Sequence, residues 1–256
     1  MTDETRRLLD SIRKGAETQE ATVEGWSRES HGLDADQRYR AFEEMLEEDF
    51  WFWLPVICKM LTEEIGGPCF MPMIDQLSDR VDQKMAEEIF WSGLVDGGET
   101  RPRSALEHSK ELIQEDRLVM AIFASALLAG SARTSPEDTL ETVGTLWFTS
   151  RSAPRLAALK SMAIALNEKT LPEEELLDMI LSRPIPEDND LRSSYSMVLR
   201  LLHPLQRDAM ESRLRELLRS SPPEIRDQVI HDISVLESIS VDTRLLLEEY
   251  TGGPRS

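Results

Sequence analysis

The feature that most narrows the fold is a period. From residue 100 onward, helix pairs are expected to begin near Pro102, Pro136, Pro172, Pro204 and Val241, at steps of 34, 36, 32 and 37 residues. A fixed step of that size, filled with amphipathic helices, marks an array of stacked helix pairs, because one pair cannot bury its apolar face alone. The second helix of each pair sharpens the alignment. Arg117, Arg155, Arg192 and Arg226 each stand in a first turn. Small or apolar residues follow three, four and seven positions on: Met120, Ala121 and Ala124; Ala158, Leu159 and Met162; Tyr195, Ser196 and Leu199; Val229, Ile230 and Ile233. An acid or a proline precedes each arginine: Asp116, Pro154, Asp190 and Glu224.

The rest of the chain is also helical in pattern. No long period-2 alternation of β-branched residues occurs, nor an Asn-Gly or Asp-Gly hairpin turn between two apolar runs. Ser135-Pro136-Glu137-Asp138, Leu171-Pro172-Glu173 and Ser221-Pro222-Pro223-Glu224 carry helix-start chemistry, with proline early and acids at the positive end of the dipole. Gly97-Gly98, Gly130 and Gly252-Gly253 read as helix stops.

Ala153-Pro154-Arg155-Leu156-Ala157-Ala158-Leu159 and Pro223-Glu224-Ile225-Arg226 resemble the start of the inner helix in HEAT repeats. The resemblance covers about residues 102–250. It implies an all-α, right-handed α-solenoid, used as a protein-binding scaffold or adaptor. It also implies that Arg117, Arg155, Arg192 and Arg226 form a structural ladder tying neighbouring turns through carboxylates, with Asp116, Asp190 and Glu224 as suitable partners.

Residues 1–100 differ from the array at 101–250 and the short tail at 251–256. They hold 23 acids against 10 bases and ten of the fifteen aromatic residues, while the whole chain carries a formal charge of −19. In Glu43-Glu44-Met45-Leu46-Glu47-Glu48-Asp49-Phe50-Trp51-Phe52-Trp53, five acids lead into four consecutive aromatics. At about 100° per residue, four consecutive side chains wrap most of a helix. Either neighbours cover several sides, or part of the cluster is open to a partner. On the second reading Glu43, Glu44, Glu47, Glu48, Phe50, Trp51 and Trp53, with Met60, Met71 and Met73, form a contact surface for a basic or amphipathic helix. On the first, the aromatics and methionines are the core of a divergent helical end segment.

Composition excludes several other classes. No run approaches the roughly 20 apolar residues of a membrane span. Met1-Thr2-Asp3-Glu4-Thr5-Arg6-Arg7 has no apolar core behind its charges and reads as no secretory signal, so a cytoplasmic location is expected. A pI near 4.7 argues against general nucleic-acid binding. With two cysteines and four scattered histidines, neither a disulfide framework nor a metal site is expected. No phosphate-binding loop, nucleophile elbow or dinucleotide fingerprint is present, so no cofactor and no catalysis are expected. Two alternatives remain. One is a nucleic-acid-processing repeat enzyme, similar to the alkylbase DNA glycosylases, using the arginine face. The other is an acidic mimic of nucleic acid. Only six of the 29 basic residues are lysine, so adaptation to salt is another source of the acidity.

Overall fold

A computed structural model describes residues 3–15 and 18–252. The chain divides into two compact units, Met1–Thr134 and Ser135–Ser256. Among the described residues every regular element is helical. Residues 253–256 of the expected tail lie outside the described residues.

The first unit holds α1 (Asp3–Gly15), α2 (Gln19–Glu29), α3 (Ala35–Glu48), α4 (Phe50–Glu64) and α5 (Phe70–Ser78). Next, α6 (Gln83–Met85) runs through a π-helical turn, Ala86–Phe90, into α7 (Trp91–Thr100). The unit closes with α8 (Pro102–Leu112) and α9 (Leu118–Thr134). One layer is the row α2, α4, α7 and α9, each packed on the next. In a second layer α1 packs on α3, and α3 on α5, while α8 packs on α7 and α9.

The second unit holds α10 (Pro136–Trp147), α11 (Ser152–Glu168), α12 (Glu173–Leu181), α13 (Asn189–Leu202), α14 (Arg207–Ser220), α15 (Pro223–Ser234) and α16 (Val241–Thr251). Here α11, α13 and α15 form the row, and α14 packs on α13, α15 and α16.

Helix starts follow local chemistry. Pro102 and Pro136 occupy first-turn positions, where the missing N–H costs nothing. Asp34 and Gln37 close a capping box, with Gln37 N donating to Asp34 Oδ1 at 2.8 Å and Asp34 N to Gln37 Oε1 at 3.0 Å. Gly252 ends α16 with φ of 70°, a left-handed position suited to glycine.

Two of the expected stops are not stops. Gly97 and Gly98 lie inside α7, and Gly130 lies inside α9. A Cβ on Gly130 would stand 2.0 Å from the carbonyl oxygen of Val95, and one on Gly98 would stand 2.5 Å from that of Leu127. These glycines let two helix backbones touch, which no side chain permits. The break in composition at residue 100 is therefore no break in packing, since α7 and α9 join across it.

Several bonds between helices span 32 to 39 residues, although others, such as Ser109 to Ala124 across 15, are shorter. Arg13 reaches Glu48 across 35 residues, Cys69 reaches the carbonyl of Ala35 across 34, and Arg101 that of Thr62 across 39. In the second unit Trp147 Nε1 donates to the carbonyl of Met179 across 32 residues, and Ser196 to Asp232 across 36.

Candidate functional site

The acidic–aromatic segment sits at the junction of α3 and α4. Asp49 caps α4, its carboxylate accepting from Phe52 N at 3.2 Å, which fixes where the aromatic run begins to coil. The helix then deals the four rings to different environments. Trp53 is fully buried, Phe50 and Phe52 are half-buried, and Trp51 is 61% exposed. Phe50 and Trp51 meet edge to face at 5.4 Å, Phe52 and Trp53 at 4.8 Å.

The methionines divide as well. Met60 and Met73 are buried, and Met71 is half-buried. Of the acids, Glu47 and Glu48 are exposed and Glu43 and Glu44 half-buried. Glu43 accepts a hydrogen bond from Gln76 Nε2 at 2.9 Å, and the same group donates to the Tyr39 hydroxyl at 2.7 Å. Burial pushes the Glu44 carboxyl up, with Glu48 adding to the effect and Arg6 opposing it. Of the expected contact set Glu47, Glu48 and Trp51 are exposed, as is Asp49, while Glu43, Glu44, Phe50 and Met71 are half-buried. Trp53, Met60 and Met73 belong to the packed interior of the first unit.

A basic side chain of the same chain already lies against this corner. Arg13 of α1 stands over the Phe52 ring, 5.1 Å from its centre, and pairs with Glu48 and Asp49, each at 3.3 Å. Both pairs are solvent-exposed, a setting in which an ion pair contributes about 0–1 kcal/mol.

The four arginines expected as a ladder meet a mixture of carboxylates, carbonyls and rings. Arg117 pairs with Asp79 at 2.8 Å and lies 3.6 Å from Asp75 and 3.8 Å from Glu115. Arg155 lies over the Trp147 ring at 4.9 Å, and Arg183 stands 5.6 Å from the same ring. Trp147 stacks in turn on Tyr195. Burial first, then the charge of Arg183, pulls the Arg155 guanidinium below its ordinary value. Arg192 Nε donates to the carbonyl of Pro186 at 2.9 Å, and its Nη1 to that of Ser220 at 2.7 Å. Arg226 Nε donates to the carbonyl of Ser221 at 2.7 Å and lies over the Tyr250 ring. Carbonyls, rings and more distant acids take the place of Asp190 and Glu224.

Arginines outside the expected set do the same work. Arg80 donates to the carbonyl of Leu46, Arg101 to Thr62, Arg183 to Thr149 and Arg213 to Leu181. Each satisfies a carbonyl in or just beyond the last turn of a helix, where the backbone has no partner of its own.

One polar cluster had no sequence signal. Glu211 of α14 is 1% exposed and sits at the start of α16. It accepts from Ser240 N at 3.0 Å, from Arg207 Nε at 2.9 Å and from the hydroxyls of Ser240 and Thr243. Burial pushes this carboxyl up, but the donors outweigh it and hold the value at about 2. The cluster anchors α16 to α14.

Among the described residues no group of three or more His, Cys, Asp or Glu side chains is placed to hold a metal ion. No helix of the described residues is long and apolar enough to cross a membrane. Cys58 and Cys69 are both free thiols, donating toward the carbonyls of Ile89 and Ala35. Comparison with protein-family models, with curated proteins and with solved structures finds no match.

Proposed function

We propose that the chain is a cytoplasmic, non-catalytic protein-binding scaffold or adaptor, each unit being a run of HEAT-like helix pairs in a right-handed solenoid. Three features support the architecture. The helices α8, α10, α12, α14 and α16 begin at or near the expected repeat starts. The second helices of successive pairs pack as a row within each unit. Several bonds between helices reach back by about one repeat, and they do so in residues 13–101 as well as in the later part. This reading extends the pairing into the first hundred residues, where no sequence motif marks it.

The contact surface in this reading is the corner formed by Glu47, Glu48, Asp49 and Trp51, and the partner is a basic or amphipathic helix. The observation that carries it is Arg13. A guanidinium seated over Phe52 and paired with Glu48 and Asp49 is the contact a basic partner would make, and the exposed ring of Trp51, packed on Phe50 in the same helix, offers a further apolar contact. The alternative of a phosphate-gripping arginine face has less support, because Arg192 and Arg226 spend their Nε donors on carbonyls.

The test is titration of the full chain with a fluorescent, arginine-rich amphipathic peptide at low and high salt. Wild type is expected to bind, with affinity falling as salt rises. Trp51→Ala and Glu47→Lys, both at exposed positions, are expected to weaken binding without loss of helicity. Absence of binding, or equal binding by both variants, overturns the reading.

A further inference from the structure

The second unit contains a cleft of about 420 Å³ between the end of α13, the start of α14 and the segment after α15. That volume lies within the range of small-molecule sites. Arg200, His203 and Arg207 stand on its wall, Leu201, Pro204, Val235 and Leu236 supply apolar surface, and Glu237 and Ser238 complete the lining.

The wall arginines are only partly used by the protein. Arg200 lies 3.4 Å from Asp232 Oδ1, yet its Nε and that oxygen are both buried without a hydrogen bond. Asp232 is itself 1% exposed, and its other oxygen is taken by Ser196 at 2.7 Å and Gln228 at 3.2 Å. The terminal nitrogens of Arg200 donate to no other described residue. Arg207 commits its Nε to Glu211 at 2.9 Å, and its terminal nitrogens are likewise unspent among the described residues. His203 Nε2 lies 3.4 Å from Glu211.

Charge at the wall follows from these contacts. The two carboxylates behind it, Glu211 and Asp232, face Arg200, Arg207 and Arg215 together with His203. The three arginines are matched by three acids, Glu211, Asp232 and Glu237, so the wall is close to balanced in charge and an anion would be held by the unspent donors rather than by an excess of positive charge. Two guanidinium forks with spare donors match the planar, paired acceptors of an oxyanion. The apolar surface beside them suits a short hydrocarbon or aromatic body.

We infer that this cleft binds a small organic oxyanion, a carboxylate or a phosphate monoester carried on a compact apolar group. With a net charge of −19 the chain does not draw anions from a distance, so recognition rests on short-range donors. For a ligand of about ten heavy atoms the affinity is expected to be roughly millimolar.

The experiment titrates the full chain, by calorimetry and NMR, with phenyl phosphate in one arm and 3-phenylpropionate in the other. 3-Phenylpropanol is the neutral control. Saturable binding in either arm, absent for the alcohol, is expected, and the arm that saturates identifies the oxyanion. Arg200→Gln is expected to weaken binding more than about tenfold. That variant also disturbs Asp232, so Ser238→Asp serves as the second. Ser238 is exposed and makes no hydrogen bond to a described residue, so the added charge leaves the fold intact and is expected to weaken binding about fivefold. The inference is overturned by absence of saturation in both arms, by equal binding of the alcohol, or by undiminished affinity in Ser238→Asp.

Discussion

Gly130→Ala is expected to be among the most damaging single-methyl changes in the first unit. The new Cβ would stand 2.0 Å from the carbonyl oxygen of Val95 and 2.8 Å from the amide nitrogen of Glu99. Ordinary contact begins at 3.4 Å, so α7 and α9 must separate by roughly 1–1.5 Å. Both offending atoms are backbone, so no side chain can swing away. A gap of 0.5–1 Å already forfeits about a quarter to a half of a contact's dispersion energy. Overpacking of a close-packed interior costs about 1–3 kcal/mol and at times more. The better helix propensity of alanine returns about 1 kcal/mol. Because both atoms are backbone the cost falls at the upper end of that range, about 3 kcal/mol, and the net expectation is a loss of about 2 kcal/mol. Gly144→Ala in α10 is the control. It too lies inside a helix, but the nearest atom to its Cβ is the terminal methyl of Met179 at 3.0 Å, which can move. That variant should be neutral or gain up to about 1 kcal/mol. Urea unfolding followed by far-UV circular dichroism measures both, and hydrogen exchange assigns the loss to α7 and α9. If Gly130→Ala unfolds within about 0.5 kcal/mol of wild type, the backbone contact does not govern this interface.

The aromatic run offers a paired test. Trp53→Ala, at a fully buried site, should cost about 3–5 kcal/mol, whereas Trp51→Ala should stay within about 0.5 kcal/mol. Similar losses from both, in denaturant melts, would mean the rings are not divided as described. Glu211 is held at about 2 against an ordinary 4.5, so its contribution of about 3 kcal/mol is complete above pH 4.5 and is lost as pH falls toward 2. Amide exchange in α16 should rise across that window in wild type, while Glu211→Gln should show fast exchange already at pH 7. A flat profile in wild type would contradict the anchoring role. Burial pushes the Cys58 thiol up to about 11, so at pH 8 it should react with a disulfide reagent about a hundredfold more slowly than an ordinary thiol. A rate matching free cysteine would show the site to be open.

Helix starts were legible from sequence because the chemistry that makes them is local. Pro102 and Pro136 needed no knowledge of the fold. The glycines were not legible, because a left-handed cap and a close contact look alike in one dimension. What separates Gly252 from Gly130 is a helix about thirty residues earlier in the chain. Arg155, Arg192 and Arg226 could be placed near helix starts, but their acceptors could not be read. Carboxylates are visible in a sequence, whereas every residue has a carbonyl, and Arg192 and Arg226 chose carbonyls. Phe50 to Trp53 lies between these cases. Helical geometry alone said that one face cannot bury all four rings, but which ring escapes depends on the neighbours of α4. Glu211 carried no signal, since a lone glutamate in a charged helix resembles any solvated one.

The spans of the bonds between helices bear on how each unit folds. The widest of the side-chain hydrogen bonds between helices described above, from Arg101 to Thr62, encloses 39 residues. The entropy lost on closing a loop grows only with the logarithm of its length, at about 0.6 kcal/mol per doubling. The bond from Ser109 to Ala124 spans only 15 residues, so the closures differ by about 1 kcal/mol at most and none must wait for distant ends to meet. Such a chain has low contact order, and low contact order goes with fast folding. Within each unit, ordering that begins at one helix can spread to the helices packed on it.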